Sequence, residues 1–159
     1  MKKIVVQIKN IQMMAGVIFI SIFLITILLQ IILRVVEISA MWTEDVIKNS
    51  FVWAVFMGAA VMVAEKEHFS FTTFADKFKG KKKILLEISV CSIMSVFSLA
   101  MFYYGVIVTN KFWNYQWANI PTFKMGFAWL CLPICGATMT IYLFYQILEN
   151  IMKIKKGDK

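Results

Sequence analysis

Histidine occurs once in these 159 residues, proline twice and cysteine three times, and only nine residues are acidic. Each scarcity excludes something. With His68 as the sole histidine, a bis-histidine haem site within one chain is impossible. A lone histidine in a basic, polar turn reads as a hydrogen-bonding residue rather than a metal ligand. Cys91, Cys131 and Cys135 all fall inside apolar stretches, without the polar surroundings of metal or redox sites, and read as small packing residues. There is no Gly-rich phosphate loop and no nucleophile–base arrangement. The chain lacks the parts of a catalyst, and the expectation is a protein that is not an enzyme and holds no cofactor or metal.

Charge is also sparse. Charged residues make up 16% of the chain, hydrophobic residues 60%, and the mean hydropathy is +0.74. Soluble domains carry about 25% charged residues. What occupies the space instead is a set of four uncharged blocks, at 13–33, 51–64, 88–109 and 126–148. Roughly 20 residues of helix cross about 30 Å of hydrocarbon. Three blocks meet that length, and the second does so if its helix starts near Thr43. The pattern predicts an all-α integral membrane protein, one membrane domain over 1–159, with spans at about 11–34, 44–66, 84–109 and 126–150.

The net charge of +8 follows topology. Lys2, Lys3 and Lys9 precede the first block; lysines 66, 77, 79, 81, 82 and 83 lie between the second and third; lysines 153, 155, 156 and 159 follow the fourth. Only Arg34, Lys48, Lys111 and Lys124 occupy the other side. The positive-inside rule then places both termini in the cytoplasm, with the basic clusters against anionic headgroups of membrane lipids. Charge distributed this way argues against nucleic acid as a partner. The N-terminal lysines imitate a secretory signal, but the apolar stretch is too long and no A-x-A site follows.

Within this frame several segments carry local signals. Gln30 is expected to pair with a neighbouring helix, because an unpaired amide in hydrocarbon is costly. Thr43, Glu44 and Asp45 form a helix start, with Thr43 as the cap and two carboxylates against the positive dipole end. Ala54 and Gly58, four apart on the second helix and beside Trp53, allow another helix to approach closely. Phe71, Phe74, Ala75 and Phe78 fall on one helical face, which predicts a short amphipathic interfacial helix at about 70–79. Pro133 predicts a kink near the middle of the fourth helix. The five tryptophans at 42, 53, 113, 117 and 129 gather on or near the outer side, a concentration that suggests a docking surface as well as a lipid belt. Membrane carriers place ionisable residues in mid-membrane. The middle of each block here has none, and Glu87 sits at a helix end within reach of Lys82 or Lys83.

Taken together, the residues resemble the small membrane subunit of tripartite ATP-independent periplasmic (TRAP) transporters, the DctQ-like family. The resemblance rests on Arg34 closing the first helix, then Trp42-Thr43-Glu44-Asp45, the run from Phe51 through Ala60, Glu67-His68 at the helix exit, and Ile120-Pro121 through Trp129 to Leu132-Pro133-Ile134-Cys135-Gly136. These landmarks run in family order over roughly residues 10 to 150. Thr72 and Thr73 stand where the family often has an Asp.

The resemblance implies a non-catalytic subunit of the bacterial inner membrane. It would scaffold a large membrane subunit that moves an organic acid, such as a C4-dicarboxylate or a sialic acid, with sodium ions bound in that large subunit. A periplasmic substrate-binding protein would deliver the acid. Interface candidates are then Trp42, Glu44, Trp53, Ala54, Gly58, Trp117, Pro121 and Trp129, with Arg34, His68 and Pro133 as structural landmarks. The competing reading is a stand-alone four-helix transporter working as a homodimer, a class that relies on the membrane-embedded carboxylate missing here.

Overall fold

Residues 2–65 and 81–156 are described in a computed structural model of the chain. Helix α1 spans Lys2–Val35, α2 Trp42–Ala64, α3 Lys81–Phe112, α4 Gly126–Trp129 and α5 Cys131–Lys156. The four long stretches are each apolar and long enough to cross a membrane, α4 and α5 together forming the fourth. Among the described residues there is no strand, only an isolated bridge between Gln116 and Lys124 in the loop before α4. The predicted interfacial helix at 70–79 and His68 lie outside the described residues.

Several boundaries differ from the sequence expectation for identifiable reasons. The first helix begins at Lys2 rather than near residue 11, since Ile4, Val5 and Ile8 extend its apolar side by two turns. It closes at its far end with a backbone motif. Glu37 adopts a left-handed conformation, φ 59°. Its amide reaches the Arg34 carbonyl at 3.2 Å, and the Ile38 amide reaches Leu33 at 2.9 Å. This is the two-bond C-terminal cap usually built on glycine.

Thr43 does not cap α2, contrary to expectation. The helix starts two residues earlier, at Trp42, with Met41 in the cap position and no side-chain cap bond. Thr43 thus falls inside the first turn, is fully buried, and donates its hydroxyl to the Ala40 carbonyl at 2.7 Å. Glu44 and Asp45 do occupy the first turn, where carboxylates favour the helix dipole.

Pro133 also sits elsewhere than expected. The break comes at Leu130, between α4 and α5, and Pro133 is the third residue of α5. A first-turn proline removes no bond the helix would otherwise make.

The helices pack as two antiparallel pairs. Phe19 stacks on Trp53 and Phe23 lies against Phe51, while Lys9 pairs with Glu65 at the other end, so α1 and α2 run in opposite directions. In the second pair Ser98 shares a hydrogen bond with Thr140 at 2.9 Å. A Cβ on Gly136 would lie 2.6 Å from the Phe102 amide nitrogen, and one on Gly105 would lie 2.9 Å from the Pro133 nitrogen. Both glycines are therefore required for α3 and α5 to touch backbone to backbone.

The pairs join along α2 and α5. The Cys135 thiol reaches the Phe56 carbonyl at 3.0 Å, and Gln146 donates to the Val63 carbonyl at 2.7 Å. Buried residues follow this seam: Ala60, Val63, Cys91, Cys135, Tyr142 and Leu143 form the core. Of the most apolar window of α1 only 6% is buried, against 39% for the fourth span. Helices α2 and α5 are central, whereas α1 and α3 are peripheral.

Candidate functional site

The middle of the structure is held by uncharged polar groups. Gln12, only 4% exposed, donates to the Thr138 hydroxyl at 2.8 Å and accepts a short hydrogen bond from the Tyr142 hydroxyl. It therefore ties α1 to α5. Each unsatisfied polar group in hydrocarbon costs several kcal/mol, so this buried amide requires the partners it has. Gln30, expected to play such a part, makes no side-chain hydrogen bond among the described residues. It lies near the α1 terminus, where headgroups or water can serve it. The three cysteines are buried and form no disulfide, and among the described residues no His, Cys, Asp or Glu cluster suits a metal.

The surface is where the candidates diverge. Ala54 is buried against the rest of the chain, whereas Gly58, one turn on, is exposed. A side chain at Gly58 would meet nothing within 4 Å. Both residues line an apolar hollow of about 390 Å³ between α1 and α2, with Gly16, Val17, Ile20 and Met62 around it. The stripe borders α1, where a Cβ on Gly16 would lie 3.9 Å from the Gly58 nitrogen, and beside that contact it leaves a dent open to the outside of the chain.

Aromatic residues build the end that holds the 113–125 loop. Trp53 donates its indole hydrogen to the Phe127 carbonyl at 3.1 Å, across 74 residues. Trp117 stacks on Phe123, Trp129 on Phe112, and Trp113 lies against Phe127. Such pairs contribute about 0.5–1.5 kcal/mol each beyond area burial. The loop is closed by bonds from Trp117 to the Phe123 carbonyl at 3.0 Å and from Met125 to Tyr115 at 2.7 Å. It is clasped to α2 by the Asp45 carboxylate, which accepts the Asn119 amide at 2.8 Å.

A second hollow of about 390 Å³ lies beneath this loop, between Phe19, Ser50, Trp53, Trp117 and Phe127. At 3.6 residues per turn, its α2 residues Val46, Ser50 and Trp53 fall on a different side from Ala54, Gly58 and Met62.

Among the candidates, Trp42, Glu44, Gly58 and Pro121 are exposed. Glu44 faces Lys48 at 3.6 Å, an exposed pair of little energetic weight. Trp53, Trp117 and Trp129 are half-buried and are engaged within the chain. Arg34 is exposed in the last turn of α1. The structure therefore brings Trp53, Ala54 and Gly58 onto adjoining faces of α2, and places Trp117 and Pro121 in the loop above them. Trp129, the last residue of α4, stacks instead on Phe112 at the end of α3. Sequence reasoning missed Gln12, Tyr142, Gly105 and Gly136, which carry the helix contacts.

Residues 22–153 match the family described as tripartite ATP-independent periplasmic transporters, DctQ component. The chain belongs to the DctQ family. It is also similar to the sialic acid TRAP transporter small permease protein SiaQ of Vibrio cholerae serotype O1, at 22% identity over 119 residues. That stretch is 74% of this chain and spans 65% of the relative's length. With four apolar spans and this membership, the chain is a multi-pass membrane protein of the TRAP small-permease class. Gly58, Trp53 and the 113–125 loop all lie within the matched residues.

Proposed function

We propose that this DctQ-family chain is a scaffold: a non-catalytic subunit that binds and braces a large transport subunit in the bacterial inner membrane, with both of its own termini in the cytoplasm. In this reading the large subunit carries an organic acid, a C4-dicarboxylate or a sialic acid, together with sodium ions that it binds itself. A periplasmic binding protein delivers the acid. The similar Vibrio protein is named for sialic acid, which favours a carboxylated sugar among these substrates.

The observation that carries the proposal is the open dent at Gly58. A lipid-facing helix has no need of a glycine whose missing side chain leaves empty space, whereas an incoming helix does. Gln12, Thr138 and Tyr142 inside the chain are uncharged, and Gln12 bonds to both of the others, which supports a brace over a carrier.

Co-purification tests the assignment. Gly58→Leu adds bulk only on the outside, so the variant should insert and fold normally while co-purifying less of the large subunit and supporting less uptake. A stable variant that pulls down its partner at the normal level rejects α2 as the contact. Uptake of organic acid by liposomes holding this chain alone, under a sodium gradient, would instead establish the homodimeric carrier.

A further inference from the structure

Two tyrosines face out of α3 at a depth where hydrocarbon surrounds them. Tyr103 and Tyr104 are 63% and 64% exposed, and their rings meet edge to face with centroids 5.3 Å apart. Among the described residues neither hydroxyl makes a hydrogen bond. Their depth follows from the charges that bracket the span, Lys83 and Lys111. At 1.5 Å per residue about 42 Å of helix separates these two lysines. A hydrocarbon layer of about 30 Å centred between them covers residues from about 87 to about 107. Both tyrosines lie inside it. Helical side chains lean toward the N-terminus of their helix, which for α3 is the Lys83 end. The hydroxyls are therefore directed toward mid-membrane, away from the nearer headgroups. An unpaired hydroxyl is costly there, and acyl chains offer it neither donor nor acceptor.

The surface beside the tyrosines is narrow. At 3.6 residues per turn, Ala100, Val96, Ser92 and Ser89 continue the same side of α3 toward Lys83, and all four are exposed. The serine hydroxyls turn back to the carbonyls of Leu85 and Ile88, at 3.0 and 2.8 Å, so these residues present only their small size. Small residues at such spacing let a second helix backbone approach. The stripe carries no charge, and α3 packs chiefly on α5 with its other side. A helix that covers the stripe must bring a hydrogen-bonding group to the depth of the tyrosines. A second copy of the chain meets that condition. Every copy inserts the same way round, so a two-fold axis along the membrane normal sets residues of like number at like depth. A tyrosine hydroxyl both donates and accepts, so the pair on one copy can satisfy the pair on the other. We infer that two copies of this chain associate in the membrane through α3, with Ser92, Val96 and Ala100 at closest approach and the tyrosine hydroxyls bonded across the axis. This contact is separate from the Gly58 face and does not depend on the scaffold reading.

Cysteine cross-linking in membranes tests the contact. In a chain freed of its own cysteines, Ala100→Cys should form a disulfide-linked dimer under mild oxidation. Ile25→Cys, also exposed but on α1, should not. Energy transfer between labelled copies in liposomes, followed as the chain is diluted in lipid, gives the strength of association. Tyr103→Phe with Tyr104→Phe removes only hydroxyls and should weaken the dimer about tenfold, the effect of two interhelical hydrogen bonds. Ala100→Trp adds bulk only on the outside of the chain and should abolish energy transfer while the chain still inserts. Absence of the Ala100→Cys cross-link overturns the inference. A dimer that survives Ala100→Trp does so too, since its axis lies elsewhere, as does one that the phenylalanines leave at full strength. If Ala100→Cys links to the large subunit when the two are produced together, the α3 face belongs to that protein and not to a second copy.

Discussion

The Tyr142 hydroxyl donates to the Gln12 side-chain oxygen, joining α1 to α5 across 130 residues of chain. The same amide donates to the Thr138 hydroxyl and to the Met57 sulfur at 3.9 Å, so Gln12 is satisfied on both sides, with its oxygen partners on α5 and the sulfur on α2. Tyr142→Phe should destabilise the protein by about 1 kcal/mol, the scale of hydrogen bonds between membrane helices. Gln12→Leu should cost more, because it leaves two hydroxyls to rearrange. The double variant should cost less than the sum, since each single change removes the same bond. Unfolding in mixed detergent measures all three, and strict additivity would show that the bond contributes nothing.

Two glycines should respond to the same substitution with opposite signs. Gly136→Ala places a Cβ 2.6 Å from the Phe102 nitrogen, and backbone cannot yield there as a flexible side chain would. The α3–α5 pair must separate, at a cost of about 2 kcal/mol or more. Gly58→Ala meets open space and replaces a mid-helix glycine, which should raise the stability of the isolated chain by up to about 1 kcal/mol. Thermal unfolding of the two variants side by side gives the comparison. A neutral Gly136→Ala would mean that α3 and α5 are not in backbone contact.

Glu37 holds a left-handed conformation in a position where glycine is ordinary. Such a conformation costs an L-residue about 1–2 kcal/mol. Glu37→Gly should therefore raise the melting temperature, whereas Glu37→Val should lower it, since a β-branched residue tolerates the conformation least. If valine matches glutamate, the turn after α1 is not the one described.

Membrane orientation follows from the charge distribution. In a chain freed of its own cysteines, a cysteine at Asn119 should react with a membrane-impermeant thiol reagent in intact cells, and one at Lys82 should not. The reverse pattern would invert the assignment.

How much of this was legible in the sequence depends on the kind of contact. The four spans were visible because hydrocarbon length constrains composition directly, and the dent at Gly58 was visible as a small residue four from Ala54. The α3–α5 contact was not. Gly105 and Gly136 sit in apolar runs that read the same whether or not another backbone approaches, and only the pairing of 102–105 with 133–136 gives them meaning. Gln12 and Tyr142 were missed for a similar reason. Near the edge of a predicted span an amide looks like an interfacial residue, while Gln30, deeper in the same run, drew the attention. Thr43 carries a cap signature that is only local, and the helix begins two residues before the start that signature predicts. Of the interface candidates, the tryptophans were recognised as clustered, but not as packing mainly on phenylalanines of their own chain.

The order of the helices in space is α1, α2, α5, α3, which is not their order in the chain. During synthesis α1 and α2 can close on one another at once, but α3 emerges with no adjacent place to occupy. It must wait at the margin until α5 has been made and has entered beside α2, because α3 packs chiefly on α5. Until then the Val63 carbonyl has no Gln146, Gln12 has no Tyr142 and Ser98 has no Thr140. The packing of these four spans is therefore completed by the fourth, and a ribosome stalled before residue 131 leaves a hairpin and a stray helix rather than three-quarters of the bundle.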